Sequence, residues 1–368
     1  MTDRTRTLTR HDYLSDEVYE IEQARIFHAG WFLAGRADRL APGNRMAVDV
    51  AGEPVMVTRA LDGTLHAFAN VCRHRGARLC DGFSSSTQGS VMCPYHAWTY
   101  GLDGQLIATP HLDGTEVDRS ALPLWGYHVR EWQGNLFVSV AADPPAFEGW
   151  LATHAQELLN LERFAFGGLV VGARSECDGE ANWKIVVENY QECLHCSLVH
   201  PELVDIIPLY RTGWVTDRGR PDGGVAVIGG RGFATEANAL PLLPGVSGVD
   251  AESYYGGTIF PNGFIDVAGT TAILSTLYPK GPHRTTMVME YLFAPETVAA
   301  PGFDPTAVVE FNDLVAAQDN VVCERVHQGV SSRAFDHGVL TAKDEYVVHF
   351  TRHYLASRGQ YPDGVGPQ

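Results

Sequence analysis

The chain has 368 residues, 45% hydrophobic and 19% charged, an ordinary globular composition with room for two separately cored domains. Its formal net charge of −17 would repel a phosphate backbone, so no nucleic-acid partner is expected. No apolar run approaches bilayer-spanning length, Met1-Thr2-Asp3-Arg4 lacks a signal-peptide core, and the seven scattered cysteines do not look like a disulfide framework, so a cytoplasmic protein without a membrane partner is expected.

In chain order, the pattern predicts a helix over about residues 16–27, followed by a strand-rich region. Strands are expected at 46–50, 54–58 and 65–71, with a turn at Leu61-Asp62-Gly63. The third strand leads into Cys72-Arg73-His74-Arg75-Gly76, and a second motif, Cys93-Pro94-Tyr95-His96-Ala97-Trp98, follows a loop of eighteen residues. Strands at 98–100 and 105–108, then a hairpin of 127–132 and 136–140, complete this half.

Two thiols and two imidazoles are the set required by a [2Fe–2S] cluster that has two Cys on one iron and two His on the other. A tetrahedral Cys2His2 zinc site would use the same atoms, although zinc fingers usually pair Cys with Cys and His with His, whereas Cys72, His74, Cys93 and His96 alternate. The two motifs resemble the Rieske signature. Respiratory Rieske subunits carry two further loop cysteines, and here Tyr95 occupies one of those places. Cys80 reads as a small buried residue.

Beyond about residue 150, a strand is expected at 170–177 and a helix from Trp183, capped by Asn182, with Val186, Val187, Tyr190 and Leu194 at helical spacing. That helix is read as running into Glu192-Cys193-Leu194-His195-Cys196 and on to His200-Pro201. Two histidines five apart are offset by roughly 140° on a straight helix, so both can face one ion only if the chain breaks. Pro201 disfavours α geometry at His200 and supplies such a break. Residues 206–258 are rich in Gly and Pro and are read as pocket loops or variable surface. A strand pair is expected at 271–278 and 285–293, and a last helix at 343–357. Between them, Asp304-Pro305 starts a helix expected to reach about residue 329. On it Val315, Asp319, Val322 and Val326 form a stripe in which an Asp is costly unless paired or metal-bound, whereas Asp313 looks solvated. Two His and one carboxylate on one octahedral face are the ligands of a nonhaem Fe(II) oxygenase.

Asn182-Trp183-Lys184 through His200-Pro201 closely resembles the catalytic motif of Rieske nonhaem iron oxygenase α subunits, the terminal oxygenase component. Gln318-Asp319-Asn320-Val321-Val322-Cys323-Glu324-Arg325-Val326 and Ser331-Ser332-Arg333-Ala334-Phe335 resemble their third-ligand helix and its continuation. The resemblance covers nearly the whole chain and is least distinctive over 206–258. It implies an α+β protein: an antiparallel-β Rieske [2Fe–2S] domain plus a helix-grip-like catalytic domain with an antiparallel sheet and iron-bearing helices. The segments implied are an N-terminal helical segment over 1–35 that packs on the catalytic domain, the Rieske domain over 36–155 and the catalytic domain over 156–368. Carried over residue by residue, Cys72, His74, Cys93 and His96 would hold the cluster, and His195, His200 and Asp319 the mononuclear iron. Glu192 would be the acid that joins His195 to His96 of a neighbouring subunit in a homotrimer, a position at which most ring dioxygenases have Asp. Ala97 is a departure, since Gly is commoner there, and the loop between the two motifs is long for the family.

The same resemblance implies an enzyme that uses O2 and electrons from NAD(P)H, delivered by a reductase and in some members a ferredoxin, to hydroxylate a small organic substrate. Arg73, Arg75 and Arg78 form a local basic group suited to an acidic donor. Glu192-Cys193-x-His195-Cys196 resembles the branch that oxidises glycine betaine, choline or carnitine, where hydroxylation of an N-methyl group releases formaldehyde. A quaternary ammonium needs aromatic faces, for which Trp214, Phe233, Tyr254, Tyr255, Phe260 and Phe264 are candidates. Ring hydroxylation or O-demethylation of an aromatic acid is the alternative. A nonenzymatic Rieske electron-transfer protein would end near residue 150 and lack His195, His200 and Asp319.

Overall fold

The computed structural model describes residues 6–85, 89–112, 116–228 and 240–359. Its contacts divide the chain into a smaller unit, Phe27–Thr153, and a larger one made of Met1–Ile26 and His154–Gln368.

In the smaller unit the strands are β1 (Phe32–Arg36), β2 (Asn44–Val50), β3 (Glu53–Arg59), β4 (Leu65–Ala69), β5 (Phe83–Ser85), β6 (Ser90–Met92), β7 (Thr99–Gly101), β8 (Leu106–Ala108), β9 (Gly126–Trp132) and β10 (Asn135–Ser139). Seven form one sheet in the order β1-β10-β9-β4-β3-β2-β5, and β6-β7-β8 form a second. Every pairing is antiparallel, as short strands joined by tight turns allow. The first Cys/His loop follows β4 and the second joins β6 to β7. Met56, Phe68, Val91, Trp98, Tyr100 and Leu106 pack with Cys72 and Cys93 in one apolar cluster, so both loops stand on a common core.

The two loops repeat one hydrogen-bonding scheme. Cys72 N–H donates to the Ala77 carbonyl and Cys93 N–H to the Trp98 carbonyl, both at 2.8 Å. Gly76 N–H donates back to Cys72 at 3.0 Å and Ala97 N–H back to Cys93 at 3.1 Å. Gly76 and Ala97 therefore hold the same place in their loops, and both are left-handed, with φ of 74° and 56°. Glycine accepts that conformation freely, whereas an L residue loses roughly 1 kcal/mol or more there. The expected commoner glycine at position 97 thus has a backbone reason.

The larger unit is built on β11 (Val170–Gly179), β12 (Val225–Ala226), β13 (Ser253–Ile259), β14 (Gly263–Ala268), β15 (Thr271–Pro279) and β16 (Thr285–Phe293). These form an antiparallel sheet in the order β11-β16-β15-β14-β13-β12. The long helix Thr306–Val330 lays Val308 and Ala316 against Ile273, Met289, Tyr291 and Phe293 of that sheet. Its buried residues are Val308, Ala316, Cys323, His327 and Val330, and Val326 is exposed. The buried face is thus rotated from the Val315–Val326 stripe read from the sequence, because the helix packs flat on a sheet and not into a bundle groove. Asp313 is half-buried, within 3.3 Å of the Tyr291 hydroxyl, and is not the fully solvated group expected.

The helix Trp183–Tyr190 begins as expected, the Asn182 side chain accepting from Lys184 N–H at 3.0 Å. It ends earlier than the spacing of Leu194 suggested, at a C-cap on Gln191, and the chain restarts as Cys196–Val199 and Pro201–Ile206. Its first turn is anchored by Glu22, from the N-terminal helix Asp16–Glu22. Glu22 accepts from Lys184 Nζ at 2.5 Å, Trp183 Nε1 at 2.9 Å and Tyr354 Oη at 2.6 Å. Lys184 and Glu22 are both fully buried, and burial pushes the Lys184 ammonium down while Glu22 opposes it.

Two stability outcomes follow. Ala97→Gly is expected to raise the unfolding free energy of the chain by about 1 kcal/mol in denaturant titration, with the cluster's absorption unchanged. Glu22→Ala leaves a buried ammonium unpaired and is expected to cost about 3 kcal/mol or more, read as a lower thermal midpoint.

Candidate metal centre and cavity

Both histidines of the 195–200 segment lie outside regular helix. His195 precedes Cys196–Val199, and His200 has φ −122° and ψ 66°, an excursion that the following Pro201 requires. The double break turns both rings toward one point. His200 Nε2 is 2.9 Å and His195 Nε2 is 3.3 Å from the same oxygen, Asp319 Oδ1. Their possible ligand atoms all lie within 4.8 Å of one another. Donors on adjacent corners of an octahedron with bonds near 2.1 Å are separated by roughly 3 Å, so the set fits one hard-to-borderline cation.

The far nitrogen of each ring is also held. His195 Nδ1 is 2.5 Å from Glu192 Oε1, and the other Glu192 oxygen accepts from the Leu194 backbone N–H. His200 Nδ1 is 2.7 Å from Gln318 Oε1, and Gln318 Nε2 donates to Glu202 at 3.1 Å. An acceptor on Nδ1 keeps the proton there and leaves Nε2 as a lone pair, the tautomer a metal requires. Burial pushes the His195 imidazole down, but the Asp319 and Glu192 carboxylates outweigh it and raise it to about 9. Asp319 moves down, because hydrogen bonds from His195 and His200 overcome its own burial. The carboxylates favour the protonated form of His195, so a cation that takes its Nε2 lone pair must displace a proton.

Cys193 and Cys196, either side of His195, are joined as a disulfide with their Cα atoms 5.0 Å apart. The sequence reading treated the cysteines as reduced. The turn after Gln191 brings these two within bonding reach, whereas Cys72, Cys80, Cys93, Cys177 and Cys323 form no disulfide.

The triad borders a cavity of about 470 Å³. Of the aromatic residues picked from the sequence, Tyr254, Tyr255 and Phe264 line it. Phe260 does not; it packs among Trp183, Phe350 and His353 in the core. Trp214 does not either; it lies under the Arg218 guanidinium, 3.8 Å from its ring centre. Phe233 lies outside the described residues. The sequence reading missed Tyr210, Phe311 and Tyr346 as lining residues, together with Tyr190, which was read only as part of a helical apolar face. Only strand register could have exposed Asp266, which also lines the cavity.

In the smaller unit, Cys72 and Cys93 are each 2% exposed and within hydrogen-bonding reach of each other. The His74 and His96 rings are 4.7 Å apart, and His74 stacks on Trp98. Tyr100 Oη is 3.3 Å from Cys72 Sγ. A single tetrahedral zinc would draw all four donors to within roughly 4 Å of each other. Among the described residues only His195, His200 and Asp319 gather three possible ligand atoms within 4.8 Å of one another, so the two thiols and two imidazoles do not form the single close cluster that one zinc favours. A thiol next to a thiol and an imidazole next to an imidazole are the pairing that a two-iron cluster with two Cys on one iron and two His on the other requires.

Comparison with known proteins agrees. The ring hydroxylating alpha subunit (catalytic domain) model matches residues 166–358, more than half of the chain, and the Rieske [2Fe-2S] domain model matches 30–124. This chain belongs to the Rieske nonhaem iron oxygenase α subunits. It is an enzyme, and its cofactors are a Rieske [2Fe–2S] cluster and a mononuclear iron. A glycine betaine monooxygenase oxygenase subunit of Chromohalobacter salexigens is 30% identical over 376 residues, covering 93% of this chain and 83% of that protein. A carnitine monooxygenase oxygenase subunit of Acinetobacter baumannii is 36% identical over 197 residues, 53% of each chain. The crystal structure of the quaternary ammonium Rieske monooxygenase CntA with L-carnitine has the same fold, with a TM-score of 0.78 at 23% identity over 96% of both chains. No helix among the described residues is long and apolar enough to cross a membrane.

Gln318→Ala removes the acceptor on His200 Nδ1. It is expected to weaken iron(II) retention roughly ten- to hundredfold, measured by chelator competition, with the Rieske absorption unchanged.

Proposed function

We propose that this oxygenase component hydroxylates an N-methyl group of a quaternary ammonium compound of the betaine, choline or carnitine type, releasing formaldehyde. The observation that carries this reading is the cavity itself. It places the His195, His200 and Asp319 triad beside the rings of Tyr190, Tyr210, Tyr254 and Phe264, and its border includes four carboxylates, Glu192, Asp222, Asp266 and Asp319. No Lys or Arg is among its described lining residues. Aromatic faces and carboxylates stabilise a cation that can make no conventional hydrogen bond, and would repel an aromatic acid. The names of the relatives point the same way.

Cys72, His74, Cys93 and His96 would hold the cluster, and His195, His200 and Asp319 the iron, the bound groups supplying electron relay and O2 activation. The chain's own part is positional. Gln318 and Glu192 fix the two imidazole tautomers, and the aromatic wall orients the methyl groups. Electrons come from NAD(P)H through a reductase, with or without a ferredoxin. Arg75, exposed beside Tyr95, and Arg78, exposed and 3.2 Å from Asp81, are the accessible part of the basic group at the cluster loop; Arg73 is drawn onto Trp125.

Glu192 would carry electrons onward from a neighbouring copy. One carboxylate oxygen is already on His195, and the partly exposed side chain could accept from His96 of an adjacent subunit in a homotrimer.

Oxygen uptake and formaldehyde release, measured with a surrogate reductase over a panel of trimethylammonium compounds and aromatic acids, test the proposal. Turnover of at least one trimethylammonium compound is expected, and turnover confined to an aromatic acid would refute it. His195→Ala should abolish turnover while the red-brown Rieske absorption persists.

A further inference from the structure

The quaternary-amine reading leaves open what neutralises the substrate's charge. Asp266, on β14, is the one half-buried residue of an otherwise buried strand and borders the cavity. Both of its hydrogen bonds fall on one oxygen. Tyr190 Oη donates to Oδ1 at 2.7 Å and Tyr254 Oη donates to the same atom. Among the described residues no donor reaches Oδ2 and no Lys, Arg or His pairs with the carboxylate. A carboxylate taken out of water with only two neutral donors remains poorly compensated, and a cation beside it would recover that loss.

The surroundings are shaped for this arrangement. Tyr190 stacks flat on Phe264, with ring centres 4.0 Å apart and planes 9° apart, and Tyr254 meets Tyr210 edge-on at 6.3 Å. Opposite Asp266 in the β13–β14 register is Gly256. A Cβ there would come within 2.9 Å of the Tyr254 hydroxyl and 3.0 Å of the Tyr190 hydroxyl, so the bare backbone is what lets both reach Asp266. Burial holds both phenols well above their ordinary range, so they stay protonated donors. Burial also pushes the Asp266 carboxyl up to about 6 against those two hydrogen bonds, which leaves it mostly ionised near neutrality.

We propose that Asp266, which borders the cavity with Oδ1 fixed by Tyr190 and Tyr254 and Oδ2 left without a donor among the described residues, is the counter-ion that selects a trimethylammonium cation over an uncharged substrate of the same shape. The tyrosine and phenylalanine faces take the methyl groups and the carboxylate takes the charge. This assignment rests on the quaternary-amine reading and narrows it to one residue. Asp266 acts on the bound cation and not on the iron triad, so its effect is on binding.

Calorimetric titration of the cluster-loaded enzyme separates the possibilities. The probes are tetramethylammonium chloride, choline, and 3,3-dimethyl-1-butanol, the uncharged isostere of choline. Wild type is expected to bind choline at least about tenfold more tightly than the isostere. Asp266→Asn should weaken tetramethylammonium about tenfold or more, leave the isostere unchanged and keep the Rieske absorption. Equal binding of tetramethylammonium by wild type and Asp266→Asn, or no binding by wild type, overturns the proposal. If that variant does not fold, the choline-to-isostere ratio of wild type decides alone: a ratio near one overturns it. Charge-blind binding together with formaldehyde release from a trimethylammonium compound would overturn the counter-ion and leave the proposed reaction standing.

Discussion

The constraint on which the catalytic unit depends is the convergence of two imidazoles on one carboxylate oxygen. His195 and His200 are five residues apart, a spacing that a continuous helix would spread around its circumference. The chain avoids this by ending one helix at Gln191 and interrupting the next at His200, where Pro201 forbids continuation. Asp319 comes from the middle of a 25-residue helix packed on the sheet. The metal centre is thus one stiff carboxylate faced by two rings on a broken segment, and the segment has to be held from outside.

That support runs through polar groups at several levels. Glu192 and Gln318 fix the imidazole tautomers, and Gln318 is in turn held by Glu202. Upstream, the helix leading into the site is tied through Trp183 and Lys184 to Glu22 of the N-terminal helix, and Tyr13 donates to Glu188 on its next turn. Burial pushes the Glu188 carboxyl up to about 7. Charges buried this deeply contribute little net stability but penalise any arrangement that separates them, so they act mainly to specify position. In the smaller unit the equivalent task is done by backbone: two loops with the same pair of hydrogen bonds and the same left-handed fifth residue stand on one apolar cluster.

The cavity is built within the larger unit from a helix and two strands. Helix Trp183–Tyr190 brings Tyr190 to one wall, strands β13 and β14 bring Tyr254, Phe264 and Asp266 to another, and Gly256, across from Asp266, leaves room for the two hydroxyls to meet the carboxylate. A half-buried carboxylate held only by two tyrosine hydroxyls among the described residues, in a site bordered by aromatic faces, is the kind of local inconsistency that function leaves in a fold.

What could be read without coordinates was what short range encodes. The alternating Cys and His of the two loops, the Asn182 cap, the break at His200-Pro201 and the strand pair of β15 and β16 are set by neighbours a few residues apart, and each was legible. Asp319 was legible from its motif, although the apolar stripe invoked for it was not the buried face, since Val326 is exposed. The Gln318 brace, the Cys193–Cys196 bond, the turn of Tyr190 into the cavity and the placement of Asp266 opposite Gly256 were not legible. Each depends on which sheet face a helix covers, or on which residue lies across from which in a strand pair. Hydrophobic periodicity names a face only when the partner surface is known, and register is settled by the whole sheet. Local chemistry in the sequence therefore determined that this chain carries a Rieske cluster and a two-histidine iron centre, and packing between distant segments decided the shape and charge of the cavity beside that iron.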